Sequence, residues 1–188
     1  MAFKISSKTV KKYGNKYIPK DKGELVKFIV KICQESKDDI VDLNDIDLSN
    51  LTNISYLFTH NDIKKALEKR NIDVSEWDVS NIVDFHNTFD NLLNFDCDLS
   101  KWDMSNARDC RAMFSNCYSF TGKGLEYWDM SNVKDIAYMF DECEKFDCDL
   151  SKWNIKNIKD YDYYRLIFGG KCNLDFSKRP KIHNKPIA

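Results

Sequence analysis

The chain has 188 residues, of which 43% are hydrophobic and 31% are charged, with a formal net charge of −1. This composition is typical of a soluble globular protein of one domain, and no stretch approaches the ~18–20 apolar residues that a membrane helix needs. The first residues lack the apolar segment of a secretory signal. Seven cysteines, an odd number, favour a reducing compartment. We therefore expect a cytoplasmic protein.

Residues 1–42 are predicted to form an N-terminal cap. The first 20 residues contain six lysines and no acidic residue, and the turn signal Gly14-Asn15 predicts a hairpin. Asp21-x-x-Glu24 has the pattern of a helix start, and the apolar run 25–32 continues the predicted helix to about Ser36. We expect this helix to cover the first open face of the repeats that follow.

A repeat of about 25 residues is the strongest signal in the chain. Similar strings begin at Trp77, Trp102, Trp128 and Trp153, the first being Trp77-Asp-Val-Ser-Asn81, and Ile46-Asp-Leu-Ser-Asn50 is a degenerate earlier copy. A phenylalanine follows twelve residues later at positions 58, 89, 114 and 140. The aromatic residues predicted to be structural are Trp77, Trp102, Trp128, Trp153, Phe89, Phe114 and Phe140.

Each repeat is predicted to contain one strand and one short helix. Leu99-x-x-Trp102-x-Met104 alternates apolar and polar residues, as a half-buried strand does. Asn132-x-x-Asp135 resembles a helix cap, and apolar residues at helical spacing follow it from Val133 to Cys143. A strand and a helix in ~25 residues is the size class of a leucine-rich repeat.

The predicted repeat region, residues 43–168, contains about five repeats and an insertion near residues 59–73. The insertion predicts an extra helical turn or two, tolerated at a repeat junction or serving as a contact loop. The last copy breaks the phenylalanine rule, because twelve residues after Trp153 is Arg165 and the nearest phenylalanine is Phe168. Residues 161–168 are predicted to be a modified last helix that Gly169-Gly170 ends. Residues 169–188 form a basic C-terminal tail.

The Trp-Asp-x-Ser-Asn strings, with Met113-Phe114, Met139-Phe140 and Asn116-Cys117, resemble the BspA-like leucine-rich-repeat family of bacterial surface and lipoprotein repeats. The resemblance covers about residues 43–168. It implies a right-handed solenoid and a protein-binding or adhesive role. The fold expected is therefore an α/β leucine-rich-repeat-type solenoid, with parallel strands on one face, short helices on the other and an N-terminal capping helix.

The sequence contains no recognisable pattern of catalytic or metal-binding residues. Cys97 and Cys148 share one repeat position, and Cys117 and Cys143 share another; small buried residues explain this, with a Cys117–Cys143 disulfide as the alternative. The three histidines are scattered without metal-ligand spacing. We expect a protein that is not an enzyme and has no cofactor, no catalytic residues and no metal site.

The aspartates that follow the tryptophan positions are predicted to stack in one exposed column. Such a column either remains from duplication, bonded to nearby backbone, or forms an acidic stripe for a basic partner. Residues 74–154 hold 16 acidic and seven basic residues, a formal charge of −9, which disfavours nucleic acid on this face. The predicted partner-binding residues are Asp47, Asp78, Asp103, Asp129, Glu76, Lys101, Glu126, Tyr127 and Lys152.

The function expected is a non-catalytic protein-interaction module that binds a macromolecular partner through this face. The partner is expected to be a protein with a basic surface, with no membrane contact. An alternative is a phage or mobile-element inhibitor that blocks a host nucleic-acid-binding enzyme with its acidic face. A further alternative is a secreted adhesin.

Overall fold

The computed structural model describes residues 16–67, 70–158 and 166–181. Helix α1 spans Lys22–Glu35, strand β1 Ile40–Asp42, helix α2 Asn61–Leu67 and strand β2 Asn71–Asp73. Two 3₁₀ helices follow at Leu125–Tyr127 and Phe176–Lys178. Within these residues no helix is long and apolar enough to cross a membrane.

The N-terminal part combines both α-helices with the small sheet. The Asp21 side chain caps α1 by accepting the Glu24 N–H at 2.8 Å, as the sequence predicted, and Ser36 is the C-terminal cap of α1. Helix α2 lies in the predicted insertion. The Arg70 guanidinium donates to the carbonyls of Cys33 (2.7 Å) and Ser36 (3.1 Å), which ties the end of α1 to the segment after α2. The predicted hairpin lies almost wholly outside the described residues, although Tyr17 forms a parallel bridge with Ile46.

The predicted α/β solenoid is wrong. The sheet of the described residues has two strands of three residues, β1 and β2, paired in parallel with Val41 opposite Ile72. From residue 74 to residue 158, a stretch described throughout, the chain contains no α-helix and no strand, but successive turns, isolated parallel bridges and one 3₁₀ helix. The leucine-rich-repeat architecture, with strands on one face and helices on the other, is therefore absent from these residues.

Left-handed backbone explains why the predicted helices do not form. Ten residues after the first four repeat starts, Tyr56, Asn87, Ala112 and Tyr138 have φ angles of 57°, 54°, 50° and 59°. Each of these residues interrupts a segment whose apolar spacing predicted a helix, and a right-handed helix cannot pass through such a residue. The predicted strands do not form either, because their segments are bent and not extended. The segment bends into a turn in which the Trp102 N–H donates to the Leu99 carbonyl at 3.1 Å.

The repeats nevertheless pack side by side around an aromatic core. The indoles of Trp77, Trp102, Trp128 and Trp153 stack with ring centroids 6.2–6.3 Å apart. A second column joins the rings of Phe58, Phe89, Phe114, Phe140 and Phe168 at 5.3–6.0 Å. Phe168 thus occupies the place that strict spacing gave to Arg165. All four tryptophans are buried, as are the phenylalanines of the inner repeats.

Backbone hydrogen bonds join the repeats mainly in the phenylalanine half. The N–H groups of Cys110, Ala112, Phe114 and Asn116 donate to carbonyls of the next repeat, at Asp135, Ala137, Met139 and Asp141, over 2.8–3.1 Å. Residues 85–91 form the same pattern with residues 109–115. The segment predicted to be a helix is therefore the segment that bonds laterally to its neighbour.

Candidate functional site

Side chains join the repeats in the tryptophan half. The indole N–H of Trp102 donates to the Val74 carbonyl of the preceding repeat at 3.0 Å, and that carbonyl also accepts the Trp77 N–H. Trp77, Trp128 and Trp153 make the equivalent bond at 2.7–3.1 Å. A phenylalanine could stack here but could not donate. Because each indole is fixed by ring stacking and by this hydrogen bond, the neighbouring exposed residues are held in register.

The asparagine that ends each Trp-Asp-x-Ser-Asn string also links repeats. Asn106 Nδ2 donates to the Ser80 carbonyl, and Asn132 Nδ2 to the Ser105 carbonyl, both at 2.8 Å. The sequence interpretation of this asparagine as a helix cap is wrong, because no helix follows it. The recurrence of this asparagine at a constant position in the repeats was the feature of the sequence that could have indicated its linking role.

The predicted aspartates follow the stacked tryptophans on the outside of the repeats. Asp78, Asp103 and Asp129 are exposed and Asp47 is half-buried. In each, Oδ1 accepts the backbone N–H of the serine two residues later, at 2.8–3.0 Å. These are Asx turns, which fix the chain direction after each tryptophan. The bonding to nearby backbone that we considered from the sequence is therefore present.

Asparagine makes the same turn where it replaces aspartate. Asn154 Oδ1, at the equivalent position of the last repeat, accepts the Lys156 N–H at 3.3 Å. At a second turn position, Asn53 accepts the Ser55 N–H at 2.9 Å, as Asp109 accepts the Arg111 N–H at 2.9 Å. The turn requires an oxygen acceptor, not a negative charge. The charge of the aspartates is therefore available for another role.

Hydrogen bonds stabilise the ionised form of three aspartates of the repeats. The Ser80 hydroxyl and then its N–H hold the pKa of Asp78 below its usual value, and Ser131 does the same for the pKa of Asp129. Lys123, 2.8 Å from Asp98, and then Ser100 lower the pKa of Asp98 to about 2. These hydrogen bonds therefore favour the ionised form of Asp78, Asp98 and Asp129.

The other predicted partner-binding residues lie on the turn just before each tryptophan position. Glu76 forms an ion pair with Lys101, Tyr127 is 73% exposed, and Lys152 is exposed in the last repeat. The Glu126 carboxylate accepts the Gly124 N–H at 3.1 Å. We call the carboxylates of Asp47, Asp78, Asp103, Asp129, Glu76 and Glu126 the acidic strip. In the last repeat the corresponding positions hold Lys152 and Asn154, so the acidic strip has no carboxylate there.

Six of the seven cysteines are buried, including Cys33 in helix α1, and Cys148 is half-buried. All seven are free. The thiols of Cys117 and Cys143 donate to the carbonyls of Phe89 and Phe114 in the preceding repeats, both at 3.1 Å. Burial raises the pKa of both thiols well above the usual value. Among the described residues, no group of three or more histidine, cysteine or acidic side chains has a metal-binding arrangement.

Comparison with known families identifies the group to which this chain belongs. The family described as "Mycoplasma protein of unknown function, DUF285" matches residues 26–124 and, in a second overlapping match, residues 52–169. The matches cover most of the chain, and the protein is a member of this family. Searches of curated proteins and of solved structures found no match.

Proposed function

We propose that this protein is a non-catalytic binding module whose acidic strip receives a basic surface of a partner protein. The observation that carries the proposal is the exposed aspartate column, held in register by the stacked tryptophans although asparagine would satisfy the same turns. Uncompensated like charges along one surface favour association with a complementary surface and accelerate encounter.

The charge distribution supports a basic partner. The region from residue 74 to residue 154 has a formal charge of −9. Within the acidic strip, Glu76 forms an ion pair with Lys101. Tyr127 adds a large exposed ring beside the strip, and tyrosine is a residue type enriched in protein interfaces.

We also propose that the chain is related to the BspA-like repeat proteins within its broader family. The support is the recurrence of Trp-Asp-x-Ser-Asn with Met113-Phe114 and Met139-Phe140 at fixed spacing. The adhesive or protein-binding role of that group agrees with the proposed use of the acidic strip.

The test neutralises the strip without removing its turns. The variant Asp78→Asn/Asp103→Asn/Asp129→Asn keeps an oxygen acceptor in each Asx turn. A matched control, Asp84→Asn/Asp109→Asn/Asp135→Asn, removes three charges from the second turn position of the same repeats, where each aspartate accepts a backbone N–H at 2.9–3.0 Å. A partner captured from a lysate of the source cells is titrated against both variants and the native chain.

The strip variant is expected to bind about tenfold more weakly at low salt and to lose much of the salt dependence of binding. The control is expected to bind like the native protein. Equal affinity of all three proteins, or equal loss in both variants, would refute the acidic strip as the binding surface.

A further inference from the structure

The chain enters the repeats beside the acidic strip. Tyr17 pairs in parallel with Ile46. Its N–H donates to the Asp45 carbonyl at 2.8 Å, and its carbonyl accepts the Asp47 N–H at 2.9 Å. The Tyr17 ring stacks on Phe28 of α1 with centroids 3.6 Å apart. Because Asp47 is the first member of the strip, these contacts fix the point where the chain arrives at the first strip carboxylate.

Lys16, the residue before Tyr17, directs a positive charge at the strip. Its side chain is exposed. The Ser80 hydroxyl, then the Ser80 N–H, and to a smaller extent the Lys16 ammonium lower the pKa of Asp78. Asp78 belongs to the repeat after that of Asp47, so the charge of Lys16 acts across the first repeat on the second.

The residues that precede Lys16 are basic. Residues 1–15, which lie outside the described part of the chain, contain four lysines, at positions 4, 8, 11 and 12, and no acidic residue. We call residues 1–15 the N-terminal segment. The region from residue 74 to residue 154 carries the opposite charge, a formal −9. The segment and the acidic strip are therefore complementary in charge, and Lys16 joins them at one end of the strip.

The strip carboxylates nearest Lys16 have the least compensated charge. Glu76 forms an ion pair with Lys101. At the far end of the strip, the charge of Lys156 acts on Asp129. Within the part of the chain that the structure describes, no close ion pair involves Asp47, Asp78 or Asp103. A cation supplied at this end of the strip would therefore meet carboxylates that lack one.

We infer that the N-terminal segment is an intramolecular competitor, which occupies the acidic strip and which a basic partner must displace. The inference rests on the proposed function, because it concerns control of the same strip. A ligand joined to its site by a short linker acts at an effective concentration on the order of millimolar. Several lysine–carboxylate contacts, each weak on its own, are then enough to compete with a separate partner.

The segment is long enough to reach every aspartate of the strip. Asp47 and Asp129 are three repeats apart, and neighbouring hydrogen-bonded chains are ~4.8 Å apart, so the strip spans roughly 14 Å. A polypeptide rises ~3.3 Å per residue when extended, so four residues, the separation of Lys12 from Lys16, reach roughly 13 Å and fifteen residues reach roughly 50 Å. All four lysines are therefore within reach of the strip.

The first test is zero-length cross-linking of the full chain with a carbodiimide, which joins a lysine amine to a carboxylate in contact with it. Mass spectrometry is expected to find lysines of the N-terminal segment linked to the strip aspartates, with a yield that does not change when the protein is diluted. The aspartates of the second turn position are the internal control and should give no such links. Absence of strip links, or equal linking of both sets, would overturn the inference. Links lost on dilution would identify a second copy as the occupant and would also overturn it.

The second test measures competition. A fluorescein-labelled peptide of alternating Lys-Ser sequence is titrated against the full chain by fluorescence anisotropy. The variant Lys4→Gln/Lys8→Gln/Lys11→Gln/Lys12→Gln, the four-glutamine chain, is expected to bind the peptide about tenfold more tightly than the native chain. That change corresponds to a strip that is free in about a tenth of the native molecules and free in all molecules of the variant.

The matched control removes four charges from exposed lysines outside the N-terminal segment, in the variant Lys27→Gln/Lys37→Gln/Lys65→Gln/Lys145→Gln. It should bind the peptide almost as the native chain does, because surface charges more than ~8 Å apart are largely screened at physiological ionic strength. Equal gains in affinity for the two variants would mean that net charge alone controls binding, and would refute the competitor.

The strip substitutions Asp78→Asn/Asp103→Asn/Asp129→Asn, made in the four-glutamine chain, separate the two proposals. They are expected to weaken peptide binding, since no internal competitor is left to mask the loss. If they do so while the native and four-glutamine chains bind the peptide equally, the strip is a binding surface and the inference alone is wrong. If they leave peptide binding unchanged, the strip is not a binding surface and both proposals are wrong.

Discussion

The two halves of each repeat are held to their neighbours by different means. In the phenylalanine half, backbone N–H groups at alternate residues bond to the next repeat, as from Phe114 to Met139. In the tryptophan half, most of the links are side chains, the indole N–H and the asparagine amide. In the phenylalanine half the backbone bonds do not depend on residue type, so the side chains have mainly to fill the core. In the tryptophan half the links require particular side chains, tryptophan and asparagine. This explains why the longest recurring string, Trp-Asp-x-Ser-Asn, lies in the tryptophan half.

The largest loss of stability is expected from a substitution in the phenylalanine half. Phe114 is fully buried and its ring stacks on Phe89, Phe120 and Phe140. Phe114→Ala should lower the free energy of unfolding by about 3–5 kcal/mol, because it leaves a cavity that stacked repeats cannot close. Chemical denaturation measures the loss. Leu93→Ala, at an exposed site of the preceding repeat, serves as the control and should change stability by under about 0.5 kcal/mol. A loss below about 1 kcal/mol for Phe114→Ala would contradict the stacked core.

A smaller loss of stability is expected from a substitution in the tryptophan half. Trp102→Phe keeps an aromatic ring in the stack but removes the donor to the Val74 carbonyl. That carbonyl retains the Trp77 N–H, so the expected loss is only about 1–2 kcal/mol, from one hydrogen bond and part of the indole volume. The same denaturation experiment measures it. A variant as stable as the native chain would show that the indole N–H does not link the repeats.

The sequence predicted the aromatic columns but not the secondary structure between them. Trp77, Trp102, Trp128 and Trp153 recur at near-constant spacing, and a constant spacing predicts stacking whatever the local conformation is. Apolar residues at every third or fourth position, as from Val133 to Cys143, suit a helix. They equally suit a chain of turns that close onto the residue three before, as the Met139 N–H does onto the Ile136 carbonyl.

The left-handed positions ten residues after the repeat starts gave little warning in the sequence. They carry two tyrosines, an asparagine and an alanine, not glycine, and of these only asparagine readily adopts left-handed backbone. The acidic strip was predictable because its aspartates share the tryptophan spacing. The contacts of Tyr56 with His86 and of His86 with Arg111 were not predictable, because these residues lie in three different repeats that the lateral backbone bonds bring together.

The most direct test of the central claim is detection of the hydrogen-bond partner of the Phe114 amide by NMR scalar coupling across the bond. Lateral bonding predicts a coupling between the Phe114 amide nitrogen and the Met139 carbonyl carbon, whose oxygen lies 3.1 Å away. A coupling to the carbonyl of Cys110, four residues earlier as in an α-helix, would contradict the account and restore the helical repeat.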